Sequence, residues 1–358
     1  MFSKNEINTG RQLELDVAKA FAVIFMITVH AFDHITDMHG NVFPKIVEFF
    51  GCAPAAGVFM FAMGVGMVYT RHDSPKEFAM RGIKLMLIGY VLNFFRETLL
   101  ILIGRVFSIE NSYEDKSLFS TLMTVDILQF AGMAFLITAL LKKLNAKPWQ
   151  ILVVATFLHA IGNLCVGIFD NTPETVQYPL GVLLFTNKET AFPAFQWYIY
   201  PAIGICFGKL LMHITDKDRF YCRMAAISAA TLFCVTVGCI RADVNITNMF
   251  MTEDYYSQSL LTTLWCMSIV CLCIPIYYDV SKLIKGRVIT SVKYISKNVN
   301  TIYILQWLVI TYTIGIMELL QIGVFHVILG IPISIAIMVV CIAISICWHK
   351  VKQKKANR

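Results

Sequence analysis

The sequence has 358 residues, 57% of them hydrophobic and 15% charged, with a formal net charge of +7. So much apolar length exceeds what one core can bury, which excludes a soluble globular domain. The basic excess is distributed as membrane topology demands, so no nucleic-acid partner is expected.

One bilayer crossing takes about 20 mostly apolar residues. Ten stretches qualify: 17–36, 47–70, 82–106, 119–141, 148–169, 192–213, 223–241, 257–278, 299–318 and 325–347. They predict an all-α polytopic integral membrane protein of about ten transmembrane helices. The first is not read as a cleaved leader, because Asp16 interrupts its basic flank and no small-residue cleavage site follows before His39. With a cytoplasmic N-terminus, all but six of the 30 lysines and arginines fall on or beside cytoplasmic segments, the six being Lys45, Arg96, Arg105, Lys116, Lys188 and Arg241. That asymmetry predicts both termini cytoplasmic. Residues 1–350 read as a single transmembrane domain. Residues 351–358 read as a basic cytoplasmic tail suited to anionic lipid.

The first span, LDVAKAFAVIFMITVHAFDHITDMH from Leu15 to His39, is ionisable along one stripe. Eleven residues turn a helix through roughly three turns, so Lys19 and His30 share a face about 16 Å apart. Asp16 precedes Lys19 by three positions, and Asp33, His34 and Asp37 continue the stripe beyond His30. Such groups belong against a protein-lined cavity rather than lipid. In the second span Gly57, Gly64 and Gly66 lie among alanines, a composition that lets helix backbones approach closely. Arg71, Arg81 and Lys84 follow in a cytoplasmic loop, where they anchor the topology or meet an anionic donor. The third span holds Asn93, Arg96 and Glu97, and an arginine at that depth calls for an ion pair with Glu97 or with Asp126 of the fourth span.

Farther on, the fifth span adds His159 and Asn163 one turn apart, a pattern more typical of a satisfied interior than of a catalyst. The longest outer loop, 170–191, carries Asp170, Glu174 and Glu189, and a second outer loop carries Asp243, Asp254, Tyr255 and Tyr256. Spans seven and eight read as structural. The 11 cysteines sit mainly in apolar spans without zinc or disulfide spacing, as small apolar fillers.

A basic residue, ten intervening residues and a histidine, introduced by Leu15-Asp16, resembles the first transmembrane helix of the membrane-bound acyltransferases. These comprise the acyltransferase 3 and the heparan-α-glucosaminide N-acetyltransferase-like families. GVFMFAMGVGMVYTR, MRGIKLMLIGYVLNFFR, VDILQFAGMAFLITALLKK, FPAFQWYIYPAIGICFGKLL and the segment Asn298 to Trp307 resemble further helices of the same families, in order along the chain. Two positions depart from the pattern. Lys19 stands where Arg followed by Gly is commoner, and Gln306 stands where His is usual; Gln cannot carry a proton at neutral pH.

The resemblance implies a membrane-embedded acyltransferase of the cell envelope, in a bacterial plasma (inner) membrane. It would take an acyl-CoA donor, acetyl-CoA foremost, and modify a glycan or small-molecule acceptor. Counting rise per residue puts His30, Arg96, Asp126 and Asn163 in one layer of the outer half, above a basic vestibule of Lys19, Arg71, Arg81 and Lys84. That arrangement suits an anionic donor whose phosphates stay near the cytoplasm while its thioester reaches upward. His30 is the expected base or nucleophile. Asp33 or a cross-helix carboxylate would orient it, and Asn93, Asn163 and Gln306 are amide donors for the oxyanion. Arg96 and Asp126 complete the expected catalytic set. A transporter of a polar or anionic small molecule is the alternative, although no repeated halves are evident. A metal at His30, Asp33, His34 and Asp37 is a further one, and none is expected.

Overall fold

The computed structural model describes residues 2–38, 42–107, 116–187, 190–251 and 254–356. His39, Lys188, Glu189 and Arg358, which the sequence assigns to outer loops and the tail, lie outside these residues. The described residues are helical, and their only β pairing is three isolated bridges. In chain order, α1 (Leu13–Ile35) is followed by α2 (Val42–Gly51), which runs through a π-helical turn, Cys52–Gly57, into α3 (Val58–Val68). Next, α4 (Pro75–Asn93) runs through a second π-helical turn, Phe94–Thr98, into α5 (Leu99–Phe107). Then come α6 (Leu118–Met123), α7 (Ile127–Lys143), α8 (Pro148–Leu164) and α9 (Glu174–Gly181). They lead to α10 (Ala194–Trp197), α11 (Ile199–Leu211), α12 (Lys217–Arg241), α13 (Asn248–Met251) and α14 (Asp254–Ser257). The chain closes with α15 (Leu260–Leu283), α16 (Arg287–Lys297), α17 (Val299–Leu319) and α18 (Gly330–Ala356).

Among the described residues, seven helices are long and apolar enough to cross a membrane, which makes this an integral membrane protein. They are α1, α2 with α3, α4 with α5, α12, α15, α17, and α18 with the 3₁₀ turn before it. The expected spans 119–141, 148–169 and 192–213 are occupied instead by shorter helices. Of these, α7 and α8 have 17 residues each and α11 has 13.

The fourth expected span is not one helix. Its chain is extended at Thr124–Asp126, between α6 and α7. The cause is local: Asp126 and Gln129 form a capping box that starts a new helix inside an apolar run. Backbone groups freed by the break need partners at membrane depth. Asn93 Nδ2 donates to the carbonyls of Leu122 (3.0 Å) and Thr124 (2.7 Å), and the Ala191 amide donates to that of Val125 at 3.0 Å.

The core is built where backbones meet. A Cβ on Gly64 would stand 2.1 Å from the Pro201 carbonyl oxygen, and one on Gly204 would stand 2.2 Å from that of Phe61. Only glycine permits that approach of α3 to α11, as the small residues of the second span predicted. Around this pair α1 and α15 are deeply packed, while α12 and α18 are peripheral. At the N-terminal end of α1, Arg11 and the Ser296 hydroxyl both bind Asp16 at 2.6 Å, and Lys217 binds Glu14 at 2.6 Å. These ties fix the helix that carries Lys19 and His30.

Candidate active site

Two cavities flank α1. The first, of about 790 Å³, lies toward its C-terminal end and is lined by His30, Asp33 and His34. The second, of about 630 Å³, lies toward its N-terminal end and is lined by Lys19. Met26, Phe59, Ile127 and Tyr303 line both. Along α1, Met26 is about 10 Å above Lys19 and about 6 Å below His30. These shared residues are therefore a mostly apolar partition between a chamber holding His30 and a vestibule holding Lys19.

The chamber contains a buried charge cluster. Arg96, 5% exposed, is aimed inward by the π-helical turn after α4. Such turns shift the helix face by one residue and recur at functional sites. Its Nε lies 3.0 Å from Glu97 Oε1, and its terminal nitrogen lies 3.0 Å from Asp126 Oδ2. Tyr303 donates its hydroxyl to the same Asp126 oxygen at 2.7 Å, and the guanidinium lies 4.4 Å from the centre of the Trp307 ring. The pairing inferred from sequence is thus made with both carboxylates. Arg96 hydrogen-bonds Asp126 and lies over Trp307, while its Nε, close to Glu97, is buried without a well-formed hydrogen bond.

His30 meets α17 rather than a carboxylate. Its Nδ1 lies 3.0 Å from Gln306 Nε2, and its ring centre is 4.3 Å from that of Trp307. Gln306 is fully buried, with its Oε1 unpartnered. The amide suits either tautomer: N–H donates to a bare Nδ1, or after a half-turn Oε1 accepts from Nδ1–H and leaves Nε2 free as a base. The Trp307 Nε1–H sits by the Tyr303 hydroxyl without a well-formed hydrogen bond, a spare donor beside His30.

Several expected assignments need correcting. Asp33 lines the chamber but does not orient His30. Its spacing would allow a contact, but the partner found at His30 Nδ1 is Gln306, from across the cavity. Asn93 is consumed by the break after α6. Asn163 donates to the carbonyls of His159 (3.0 Å) and Gln258 (3.2 Å), and His159 binds the Gln196 carbonyl at 2.8 Å, so both are interior ties outside the chamber. In the vestibule Lys19 and Arg81 are present, Arg81 with its guanidinium 4.6 Å from the Phe135 ring centre. Arg71 and Lys84 are exposed and line neither cavity. The basic residues of the vestibule unforeseen from sequence are Lys297 and His349. Among the described residues no group of three or more His, Cys, Asp and Glu could hold a metal ion.

The family model of the acyltransferase 3 family, described as an acyltransferase domain, matches residues 12–348. The chain belongs to this family. Of the two families that the sequence resembles, this is the one shown, and it supports acyl transfer over transport. Neither the curated proteins nor the solved structures contain a match to the chain. The family fixes the class of chemistry, while the cavities bear on how this acyltransferase performs it.

Proposed function

We propose that this acyltransferase moves an acyl group, acetyl foremost, from a cytoplasmic acyl-CoA to a hydroxyl or amine of a glycan or small molecule on the outer side. The observation that carries the reading is the shared, mostly apolar partition between the two cavities. It separates Lys19 from His30 on a single helix, with a basic room on one side and a room with an ionisable base on the other. Lys19, Arg81 and Lys297 would bind the phosphates of the donor, whose narrow pantetheine arm would pass between Met26, Phe59, Ile127 and Tyr303. His30 would take the proton of the acceptor, held by Gln306 in the tautomer with Nε2 free. Trp307 Nε1–H would donate to the oxyanion as it forms.

The same reading takes ten crossings with both ends cytoplasmic. It assigns α7, α8 and α10 with α11 as the shorter three, in one domain over residues 1–350, and places the chain in a bacterial plasma membrane. An unusually short crossing is reasonable where the helix meets other protein rather than lipid. Purified protein in lipid nanodiscs should bind acetyl-CoA, and Lys19→Ala with Arg81→Ala should weaken that binding. A parent protein that neither binds acetyl-CoA nor releases CoA from it with a panel of amino-sugar and sugar acceptors would overturn the proposal.

A further inference from the structure

We propose that the chamber recognises its acceptor through an ammonium group, with Asp33 and Glu48 as the paired counter-ions and the surrounding aromatic faces as the rest of the site. This rests on the acyl-transfer reading above and narrows its acceptor to a cationic one that also carries a hydroxyl.

The argument begins with the charges on the chamber wall. Asp33, Glu48, Arg96 and Asp126 line it, together with His30 and His34. Arg96 and Asp126 are committed to each other and to Glu97. Asp33 and Glu48 remain as two carboxylates on the same wall that make no ion pair among the described residues. Lys45, one turn before Glu48 on α2, is exposed, and no ion pair joins the two among the described residues. Glu48 Oε2 is shut off from solvent without a hydrogen-bond partner. Like charges in a partly desolvated space oppose one another, and a cation between them relieves both.

An independent observation concerns Tyr255. This residue is 4% exposed and lines the chamber, and its hydroxyl is buried without a partner. A buried hydroxyl left unpaired is costly unless a ligand completes it. The Tyr256 ring lies 5.3 Å from that of Tyr255, and the rings of Phe250 and Trp307 line the same chamber. Aromatic faces combined with carboxylates attract ammonium groups. The walls lack a three-ligand His, Cys, Asp or Glu cluster among the described residues, so an organic cation fits better than a metal ion.

Position decides which atom reacts. Asp33 lies one turn beyond His30 on the same face of α1, so an ammonium held there sits beside the base rather than on it. An ammonium bound to carboxylates keeps its proton and has no lone pair to attack with. The nucleophile is therefore a hydroxyl elsewhere on the acceptor. His30 removes its proton, the oxygen forms a bond to the thioester carbonyl carbon, the C–S bond breaks, and the proton passes from His30 to the CoA thiolate.

The test uses two probes of matched shape, choline and its uncharged isostere 3,3-dimethylbutan-1-ol. Each is titrated by calorimetry into the full-length protein in nanodiscs. Choline should bind with a Kd at least about tenfold lower than the alcohol. Asp33→Asn with Glu48→Gln should bring the two within about twofold while acetyl-CoA binding is kept. Equal binding of the two probes to the parent protein, or an undiminished preference in the double variant, overturns the proposal. Should the double variant fail to bind acetyl-CoA and so prove misfolded, the parent comparison and the single Glu48→Gln variant decide. The two readings fail separately. Choline preference without acetyl-CoA binding removes the acetyl-CoA donor and keeps the cation site, whereas acetyl-CoA binding without choline preference does the reverse.

Discussion

Replacing Arg96 by Met isolates the charge cluster, because Met keeps much of the apolar length and deletes the cation. In the parent protein the Arg96, Glu97 and Asp126 side chains are 6%, 11% and 17% exposed, with both ion pairs at 3.0 Å. The variant leaves two carboxylates facing each other with little water to screen them. Removing one partner from a buried pair costs about 3–5 kcal/mol, mostly as the penalty of the charge left behind. Chain unfolding in mixed micelles, followed by SDS titration, should therefore show a loss of that order for Arg96→Met. Adding Glu97→Gln and Asp126→Asn to the same chain should recover most of it, since the stranded charges are gone. Asp126→Asn alone should cost less, because Arg96 keeps Glu97, although Tyr303 exchanges a charged acceptor for a neutral amide oxygen. An Arg96→Met protein that unfolds with the parent would refute the burial argument. So would a triple variant no more stable than the single one.

Three further expectations follow from particular contacts. Gly204→Ala forces a methyl to 2.2 Å from the Phe61 carbonyl oxygen, and separating α3 from α11 should cost about 1–3 kcal/mol or more, read in the same unfolding assay; parent-like stability would contradict the packing. Gln306→Ala removes the group at His30 Nδ1 and should lower kcat by about tenfold, one hydrogen bond's worth, with the donor KM held; an unchanged kcat would free His30 from that partner. Single cysteines at Thr175 and Lys285, both exposed, should be labelled from opposite sides of the membrane once the exposed Cys222, Cys234 and Cys347 are replaced, and labelling from one side would defeat the topology.

How much of this was legible in advance depended on the kind of signal. Apolar length identified a helical membrane protein, and the Lys19–His30 spacing placed both residues on cavity walls, because an unbroken helix preserves phase over three turns. Arg96 could be paired by cost alone. Span integrity was harder to read, since hydropathy averages over the break at Thr124–Asp126. The capping pair Asp126 and Gln129 marked that break, and it lies inside an otherwise convincing apolar run. Residues that meet only in space were the least visible. Gln306 is legible as an amide donor, whereas Tyr303 and Trp307, on the same face of α17, receive no role in the site from the sequence, because nothing in their order says which helix they face. Glu48 was overlooked, although a lone acid at the edge of an apolar span is itself a cue. Arg71 and Lys84 misled for the converse reason: positive-inside bias populates the loop with cations whether or not they reach the vestibule.

The central claim is that one helix serves donor binding at Lys19 and chemistry at His30, and steady-state kinetics of two purified variants test it most directly. With acetyl-CoA varied against a saturating acceptor, His30→Ala should lower kcat by about 10²–10⁴ and leave acetyl-CoA affinity unchanged. Lys19→Ala should raise the donor KM by about 10–100-fold with kcat kept, as expected for a charged contact present in ground and transition states alike. A folded His30→Ala protein that turns over at the parent rate would contradict the account.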